Sequence, residues 1–187
     1  MAEATKILRH EHEAILNMLG VVEQTAGELE TCRPVRPEAL EEQLEFLRIF
    51  ADQCHHGKEE RLLFPMLESK GIPREGGPIA VMESEHERGR QLIRQMSEAL
   101  ELYRRDPAQA SPSWAASARE YARLLRQHIE KENNVLFRMA ESVLTPAEQE
   151  ELGRQFDRLE VEEIGEGTHQ RLHTMMDRLV AEAAAHR

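Results

Sequence analysis

The stretch that decides the fold is Cys54-His55-His56-Gly57-Lys58-Glu59-Glu60-Arg61-Leu62-Leu63-Phe64-Pro65. It lies in a long segment with helical periodicity, so His55 and Glu59, four residues apart, project from one face of a helix with their Cβ atoms about 5 to 6 Å apart. An imidazole and a carboxylate at this distance can chelate a metal ion. The sequence therefore predicts a pair of metal ligands on this helix.

The same arrangement returns later in the chain, where His128 is followed by Glu132. In both places a phenylalanine follows the histidine by nine residues, at Phe64 and at Phe137. A single His-x-x-x-Glu spacing is weak evidence, because glutamate-rich helices produce it as a surface pair. Because the spacing is repeated with the same neighbours, a functional role is favoured over a surface pair.

Two further histidines, His12 and His86, each stand between two glutamates. The distance along the chain from His12 to His86 is almost the same as the distance from His55 to His128. This near-constant shift predicts an internal duplication of a helical hairpin. We expect four helices, each of which brings ligands to a common centre.

The composition favours one soluble, all-α domain. The chain has 187 residues, of which 40% are hydrophobic, 32% charged and only 4% aromatic. A formal charge of −11 argues against nucleic acid or an anionic membrane as a partner. Because no apolar run has the length of a signal peptide or a membrane span, we expect a cytoplasmic protein with Cys32 and Cys54 reduced.

The periodicity predicts an up-down-up-down four-helix bundle in residues 1–144, followed by a C-terminal helical hairpin in 145–187 that packs on the bundle within the same domain. Thr145-Pro146-Ala147-Glu148 is a capping box that predicts the start of the fifth helix. The six helices are expected at about 4–29, 37–64, 79–103, 112–143, 146–164 and 169–185.

Three local features carry further expectations. Pro65 predicts a kink or an end of the second helix, because proline lacks an amide donor. Ser111-Pro112 resembles an N-cap and first residue, which predicts the start of the fourth helix there. The spacing also predicts the core-facing residues of the second and fourth helices, which include Leu62 and the sevenfold series Trp114, Tyr121, His128 and Val135.

The six candidate metal ligands are His12, His55, Glu59, His86, His128 and Glu132. Nitrogen and oxygen donors of this kind suit iron, manganese or zinc. Two carboxylates related by the duplication could bridge two metal ions, and the ions would offset a repulsion between buried charges.

Four other residues have less certain roles. His56 adjoins a proposed ligand and is an extra ligand, a group that orients a ligand, or a partly exposed histidine. His169 either reaches the open end of the bundle or belongs to a polar surface. Cys54 is expected to face away from the site as inert packing, and Tyr121 to be a core residue or a hydrogen-bonding group near the metals.

Three motifs together resemble the hemerythrin-like proteins, the HHE cation-binding family. They are His55-His56-Gly57-Lys58-Glu59-Glu60, Glu85-His86-Glu87 and His128-Ile129-Glu130-Lys131-Glu132-Asn133, and the resemblance covers about residues 8–139. It implies a four-helix bundle with a non-haem di-iron centre, for which zinc or manganese are possible substitutes. It also implies that the four histidines are terminal ligands and that Glu59 and Glu132 are bridges.

The sequence departs from the oxygen-carrying members on the third helix. Those members have two histidines one turn apart, whereas Met82 and Arg90 occupy the positions four residues from His86. One iron would lack a nitrogen ligand, and water, His56, His169 or a further carboxylate would take its place. Reversible oxygen carriage is therefore not the favoured function.

Three functions follow from these observations. The first is a di-iron protein that binds or senses oxygen, nitric oxide, peroxide or iron. The second is an enzyme, either a di-iron peroxidase or catalase-like protein or an iron-oxidising one. The third is a helical interaction domain with a structural metal. The sequence leaves the protein partner open.

Overall fold

The computed structural model describes residues 3–185, and those residues form helices and short connections with no strand. No helix among them is long and apolar enough to cross a membrane. The all-α class predicted from the sequence is confirmed. The six helices are α1 (Ala4–Glu30), α2 (37–69), α3 (Pro78–Tyr103), α4 (107–143), α5 (146–164) and α6 (Thr168–Ala185).

Three of these helices contain π-helical stretches, in which backbone hydrogen bonds span five residues instead of four. Leu47–His56 and Glu59–Leu63 lie in α2, Glu132–Leu136 lies in α4, and Glu160–Ile164 ends α5. A π-helical turn holds an extra residue and is often found at functional sites. Each stretch therefore changes which side chains face the core beyond it.

The π-helical stretches explain two wrong predictions about the core-facing residues. Val135, expected in the core, is 50% exposed, and Leu136 is buried in its place. In the same way Leu62 is only half-buried, and Leu63 is fully buried. In both helices the extra residue of the π-helical turn moves the core-facing position forward by one.

Of the two outcomes predicted at Pro65, a kink or an end of the helix, the end does not occur, because α2 continues to Ser69. The preceding π-helical stretch ends at Leu63, and the N–H of Phe64 donates to the carbonyl of Glu59. Pro65 therefore follows directly on the change from π to α hydrogen bonding, near the first position of the final α-helical segment. Proline is tolerated there because the amide it lacks would have no regular partner.

The fourth long helix begins earlier than predicted, at Pro107 instead of Pro112. Asp106 is the N-cap, and its side chain accepts a hydrogen bond from the Gln109 amide. Asp106-Pro107 thus carries the same cap and first-residue signal that was assigned to Ser111-Pro112. The Ser111 hydroxyl instead donates to the Pro107 carbonyl within the first turns.

The capping box at the start of α5 is confirmed. The Thr145 side chain accepts from the Glu148 amide, and the Glu148 carboxylate accepts from the Thr145 amide. The turn between α5 and α6 contains Gly165 at φ +94° and Gly167 at φ +78°. These backbone angles favour glycine, so the hairpin turn depends on both residues.

The four long helices pack so that α4 contacts α1 and α3, while α2 contacts α3 and α1. Helix α5 lies against α1 and α2, and α6 lies along the same two helices. The buried side chains form two apolar clusters. On each long helix the candidate ligands lie between these clusters; on α1, for example, His12 lies between Leu8 and Ile15. The centre is therefore a polar layer between two apolar cores.

Candidate metal centre

The bundle brings all six predicted ligands together, and each is at most 1% exposed. They form two sets of four that share both glutamates. The first pair of histidines is His12 and His55, whose Nε2 atoms are 3.0 Å apart. The second pair is His86 and His128, whose Nε2 atoms are also 3.0 Å apart. Each set contains two nitrogen and two oxygen donors.

Each glutamate directs one oxygen toward each pair of histidines. Glu132 Oε2 is 3.1 Å from His12 Nε2, and its Oε1 is 3.1 Å from His128 Nε2. Glu59 Oε1 is 3.7 Å from His55 Nε2, and its Oε2 is 3.4 Å from His86 Nε2. This is the arrangement that two carboxylates bridging a pair of cations require.

The other ring nitrogen of each histidine donates to an acceptor on a different helix. His55 Nδ1 donates to Glu11 at 2.8 Å, and His128 Nδ1 donates to Glu85 at 3.0 Å. Because a carboxylate only accepts, the proton is on Nδ1 and the lone pair is on Nε2. Such partners fix the tautomer and the ring orientation of a metal-binding histidine.

The remaining two histidines are held in the same way. His86 Nδ1 donates to Glu60 at 2.7 Å, and His12 Nδ1 donates to the side-chain oxygen of Asn133 at 3.0 Å. Phe64 and Phe137, the phenylalanines of the repeated motif, stack on His86 and His12 respectively. All four imidazoles are therefore fixed with Nε2 directed at the centre.

The orienting residues obey the internal duplication. Glu11 and Glu85 directly precede the equivalent ligands His12 and His86, and Glu60 and Asn133 directly follow the two bridging candidates. Lys58 and Lys131 extend the relation, since the first donates to Glu11 and the second to Glu85. The symmetry ends there, because the side chain of Lys58 is 1% exposed and that of Lys131 is 40% exposed.

The buried carboxylates are the strongest sign that the site fits a cation. None of the four oxygens of Glu59 and Glu132 accepts a hydrogen bond from residues 3–185, and both side chains are fully buried. Burial and the charge of Glu132 raise the pKa of Glu59 well above its usual value. Two unpartnered carboxylates facing four imidazole lone pairs are costly to bury, and divalent cations would neutralise them.

Burial and the nearby carboxylates also shift the pKa values of the histidines. Burial lowers the pKa of His55 to about 4 and lowers that of His86 well below its usual value. Burial also opposes a charge on His128, yet Glu132 and Glu85 raise the pKa of His128 to about 9. In the metal-free protein His128 would therefore carry a second proton, on Nε2 and 3.1 Å from Glu132 Oε1, which a bound cation would displace. His55 and His86 remain neutral and able to bind a metal.

Arg90 has a structural role. It occupies one of the two positions on α3 at which the oxygen-carrying members would have their second histidine. Its guanidinium donates to Glu60 at 2.7 Å and to Asp52 at 2.9 Å. Glu60 in turn orients His86, and Asp52 accepts from His56 Nδ1 at 3.3 Å. Arg90 thus fixes the two carboxylates that orient these rings.

His56 is buried next to the second pair of histidines, not partly exposed. Its ring stacks on His86 with centroids 3.8 Å apart, and it lies edge-on to His128. Its Nε2 has no hydrogen-bond partner among residues 3–185. The ligand atoms of the three histidines lie within 4.8 Å of one another. Of the residues considered for the extra position, His56 is thus the one at the centre.

The other residues considered from the sequence lie outside the centre. His169 is 2.7 Å from Glu160 and 2.9 Å from His173, on the outer side of α2. Cys54 is buried, burial raises its pKa to about 12, and its thiol lies 3.9 Å from Glu160. Tyr121 is fully buried, and its hydroxyl has no partner within the described part of the chain.

The sequence interpretation missed the residues that orient the imidazoles. They are Glu11, Glu60, Glu85, Asn133 and Lys58. The duplication was the available signal, because Glu11 and Glu85 precede His12 and His86 at matched positions. Which histidine each one orients depends on which helices are neighbours, and that required the folded structure.

Comparison with known proteins agrees with this centre. Residues 3–140 match the model of the hemerythrin HHE cation binding domain. The chain is 34% identical over 135 residues to the iron-sulfur cluster repair protein YtfE of Edwardsiella ictaluri, a match that covers 67% of this chain and 58% of the relative. It is 37% identical over 108 residues to the YtfE protein of Dickeya chrysanthemi, covering 56% and 48% respectively. The chain thus spans about half the length of these relatives. The domain match covers most of the chain, and the protein belongs to the hemerythrin HHE cation-binding family.

Proposed function

We propose that the centre holds two iron ions and binds a small molecule, namely oxygen, nitric oxide or peroxide, or senses iron itself. The observation that carries this proposal is the position of the two glutamates, each with one oxygen toward each pair of histidines. In this assignment His12 and His55 would hold one ion, His86 and His128 would hold the other, and Glu59 and Glu132 would contribute to both. Manganese or zinc would suit the same donors.

An iron pair supplies an open coordination position and, in its reduced form, one electron from each ion. The protein residues determine what reaches it. All six ligands are at most 1% exposed, so only a small molecule can approach without local opening of the bundle. The apolar clusters on both sides limit water around a bound molecule.

His56 is the residue that we assign to the open position. Its stacked ring and unpartnered Nε2 beside His86 and His128 allow two roles. In the first, Nε2 is an additional ligand that replaces the histidine absent from α3. In the second, His56 Nε2 accepts a hydrogen bond from a bound molecule that carries a proton. His56→Phe keeps the aromatic packing and removes both possibilities.

Replacement of Glu59 or His128 by alanine tests the ligand assignment. Each change removes a donor from the centre, so metal content per chain should fall by at least about half in both variants. Glu13→Ala is the matched control, because this glutamate is next to His12 in sequence but is exposed. Full retention of metal by both variants, with circular dichroism unchanged, would disprove the assignment.

An enzymatic function in repair is a second candidate, which the similarity to iron-sulfur cluster repair proteins favours. In this reading the centre donates iron or electrons to a damaged cluster. A soluble enzyme whose [4Fe–4S] cluster has been damaged by peroxide is the assay substrate. Recovery of its activity with the wild-type protein but not with Glu59→Ala would favour repair. A stable oxygen or nitric oxide adduct without recovery would favour binding or sensing, and turnover of peroxide would favour a peroxidase.

A further inference from the structure

Two histidines on the last helix form a cluster outside the buried centre. His169 and His173 are four residues apart on α6, and their Nε2 atoms are 2.9 Å apart. Their rings are nearly parallel, with centroids 4.7 Å apart and an interplanar angle of 23°. Both lie beyond residue 140, outside the part of the chain that matches the family domain. We call them the outer histidine pair.

The outer histidine pair repeats the arrangement of the buried pairs. His169 Nδ1 lies 2.7 Å from Glu160 Oε1, although the geometry of this contact is not that of a hydrogen bond. A proton on Nδ1 leaves the Nε2 lone pair directed at His173. Partial burial and the nearby His169 lower the pKa of His173 below its usual value, so its imidazole is neutral near pH 7.

The two rings are also held in place from beneath. Phe50, which is fully buried on α2, contacts His169 with centroids 5.0 Å apart and His173 with centroids 5.1 Å apart, both edge to face. His169 retains 27% exposure of its side chain. The pair is thus backed by the core and open to solvent, so little conformational entropy would be lost on binding.

A polar cavity lies beside the outer histidine pair. It has a volume of about 470 Å³, adjoins His169, and is lined by carboxylates of Glu11, Asp157 and Glu160 together with the cations Lys6 and Arg154. The carboxylates outnumber the two cations by one. Lys58 donates to Glu160 at 2.9 Å and also to Glu11, which orients His55 of the buried centre. Glu11 therefore lines this cavity and also accepts a hydrogen bond from a histidine of the buried centre.

We propose that the outer histidine pair is a second cation site, which captures a divalent transition-metal ion at the protein surface. The two Nε2 atoms are the ligands, the Glu160 carboxylate lies beside His169 Nδ1, and water completes the coordination. Imidazole nitrogens select ions such as nickel, zinc, copper or ferrous iron over magnesium or calcium. The site does not depend on the identity of the metal in the buried centre.

Titration of nickel into the metal-loaded protein, followed by calorimetry, tests this site. We expect one binding event per chain beyond the buried centre. His169→Ala and His173→Ala should each weaken that event at least about tenfold, because half of the imidazole ligands are lost. Glu160→Gln removes the carboxylate charge beside His169 and should weaken the event, by up to about tenfold. His10→Ala, which removes a histidine from the same cavity but not from the pair, should change the affinity less than about twofold.

Two further measurements make the result decisive. His173→Gln keeps a polar helical side chain without an imidazole, and its melting temperature should match that of the wild type while nickel binding is lost. Glu59→Ala should keep the outer event even though the buried centre is disrupted. Absence of an outer event in the wild type, or equal nickel affinity in the wild type and His169→Ala, would overturn the proposal. Either result would leave the buried centre unaffected.

Discussion

At the scale of single residues, the centre is a costly arrangement that a metal ion would relieve. Glu59 and Glu132 are fully buried and accept no hydrogen bond from residues 3–185. Burial, together with the charge of Glu132, raises the pKa of Glu59 well above its usual value. The two proposed glutamate ligands therefore lower the stability of the metal-free protein. Their effects on stability and on metal binding can be measured separately.

Glu59→Gln separates stability from binding. The amide has the same shape but no charge, so it removes the repulsion with Glu132. In chelated protein we expect the melting temperature to rise by several degrees, since about 1 kcal/mol corresponds to roughly 2–4 °C for a domain of this size. Metal content should fall at the same time, because the amide is a poor bridging ligand. The exposed Glu98→Gln is the control and should change neither quantity. A lower melting temperature for Glu59→Gln in the chelated state would contradict this account.

The buried histidines predict how the metal-free protein responds to acid. The pKa of His55 is about 4 in the folded state because of burial, against 6.5 for the free side chain. The unfolded chain therefore binds a proton that the folded chain excludes, and stability is lost as pH falls from about 6.5 to about 4. The loss from His55 alone is roughly 3 kcal/mol. Urea denaturation of the chelated protein at several pH values would measure this loss.

His55→Phe supplies the comparison for the acid response. It keeps an aromatic ring in the core and removes the titrating group, so the loss of stability between pH 6.5 and 4 should be smaller. His10→Phe, at an exposed histidine, should leave the pH dependence unchanged. Equal slopes for His55→Phe and the wild type would show that His55 does not remain neutral in the folded protein.

The duplication allowed the sequence to predict that the six candidate side chains lie close together, because it places them at matched positions in two helical hairpins. The His55 and His128 copies could be aligned residue by residue, and all six side chains meet in the structure. The orienting residues were not predicted, since Glu60 serves a histidine on the next helix and Asn133 serves one on the first helix. Contacts of this kind depend on helix order around the bundle and leave no periodic signal.

At the scale of helices, the π-helical stretches determine the register around the centre. Glu132–Leu136 and Glu59–Leu63 each begin with a candidate ligand. Because residues four apart lie near one face of either helix type, the spacing of the candidate ligands could not reveal the extra residue. The error appeared only beyond the ligands, where Leu136 and Leu63 replace Val135 and Leu62 in the core. The presence of each helix could be predicted from the sequence. The side chains that face the core beyond each π-helical stretch could not.

Lys58 joins three helices, and its loss should destabilise the protein. Its ammonium is buried and binds Glu11 on α1 and Glu160 on α5. Lys58→Met keeps the length of the side chain but leaves the buried Glu11 without its cation. Removing one member of a buried ion pair costs on the order of 3 kcal/mol. Chemical denaturation would measure this loss in the free energy of unfolding.

Lys6→Met is the control for this prediction. Lys6 lies on α1 and pairs with Glu3, but its side chain is 68% exposed. An exposed pair of this kind contributes little, so the change should stay below about 1 kcal/mol. If Lys58→Met were as mild as Lys6→Met, the buried contact between α1, α2 and α5 would not contribute to stability.

At the scale of the whole molecule, the C-terminal hairpin breaks the internal symmetry. Lys58 and Lys131 occupy equivalent positions, but only Lys58 is covered, because Glu160 of α5 lies over it. Leu152 and Phe156 of α5 are buried in one apolar cluster, and Leu172 and Leu179 of α6 are buried in the other. We therefore propose that residues 145–187 belong to the same domain as the bundle.

Removal of residues 145–187 tests that proposal. The shortened chain would expose apolar surface on α1 and α2 that now contacts α5 and α6. Since burial of one large apolar side chain contributes about 1.5–3 kcal/mol, we expect the melting temperature to fall by more than about 10 °C. Calorimetry should give one transition for the full chain. Two separate transitions, or an unchanged melting temperature after truncation, would show that the hairpin is an independent unit.

The most direct test of the central claim is the number of iron atoms per chain, measured by mass spectrometry on protein purified without chelator, with a Mössbauer spectrum of the same sample. The two pairs of histidines joined by Glu59 and Glu132 predict about two irons per chain that are magnetically coupled, since the same carboxylates would bind both. One iron or none in correctly folded protein, or two irons without coupling, would contradict the proposed bridged centre.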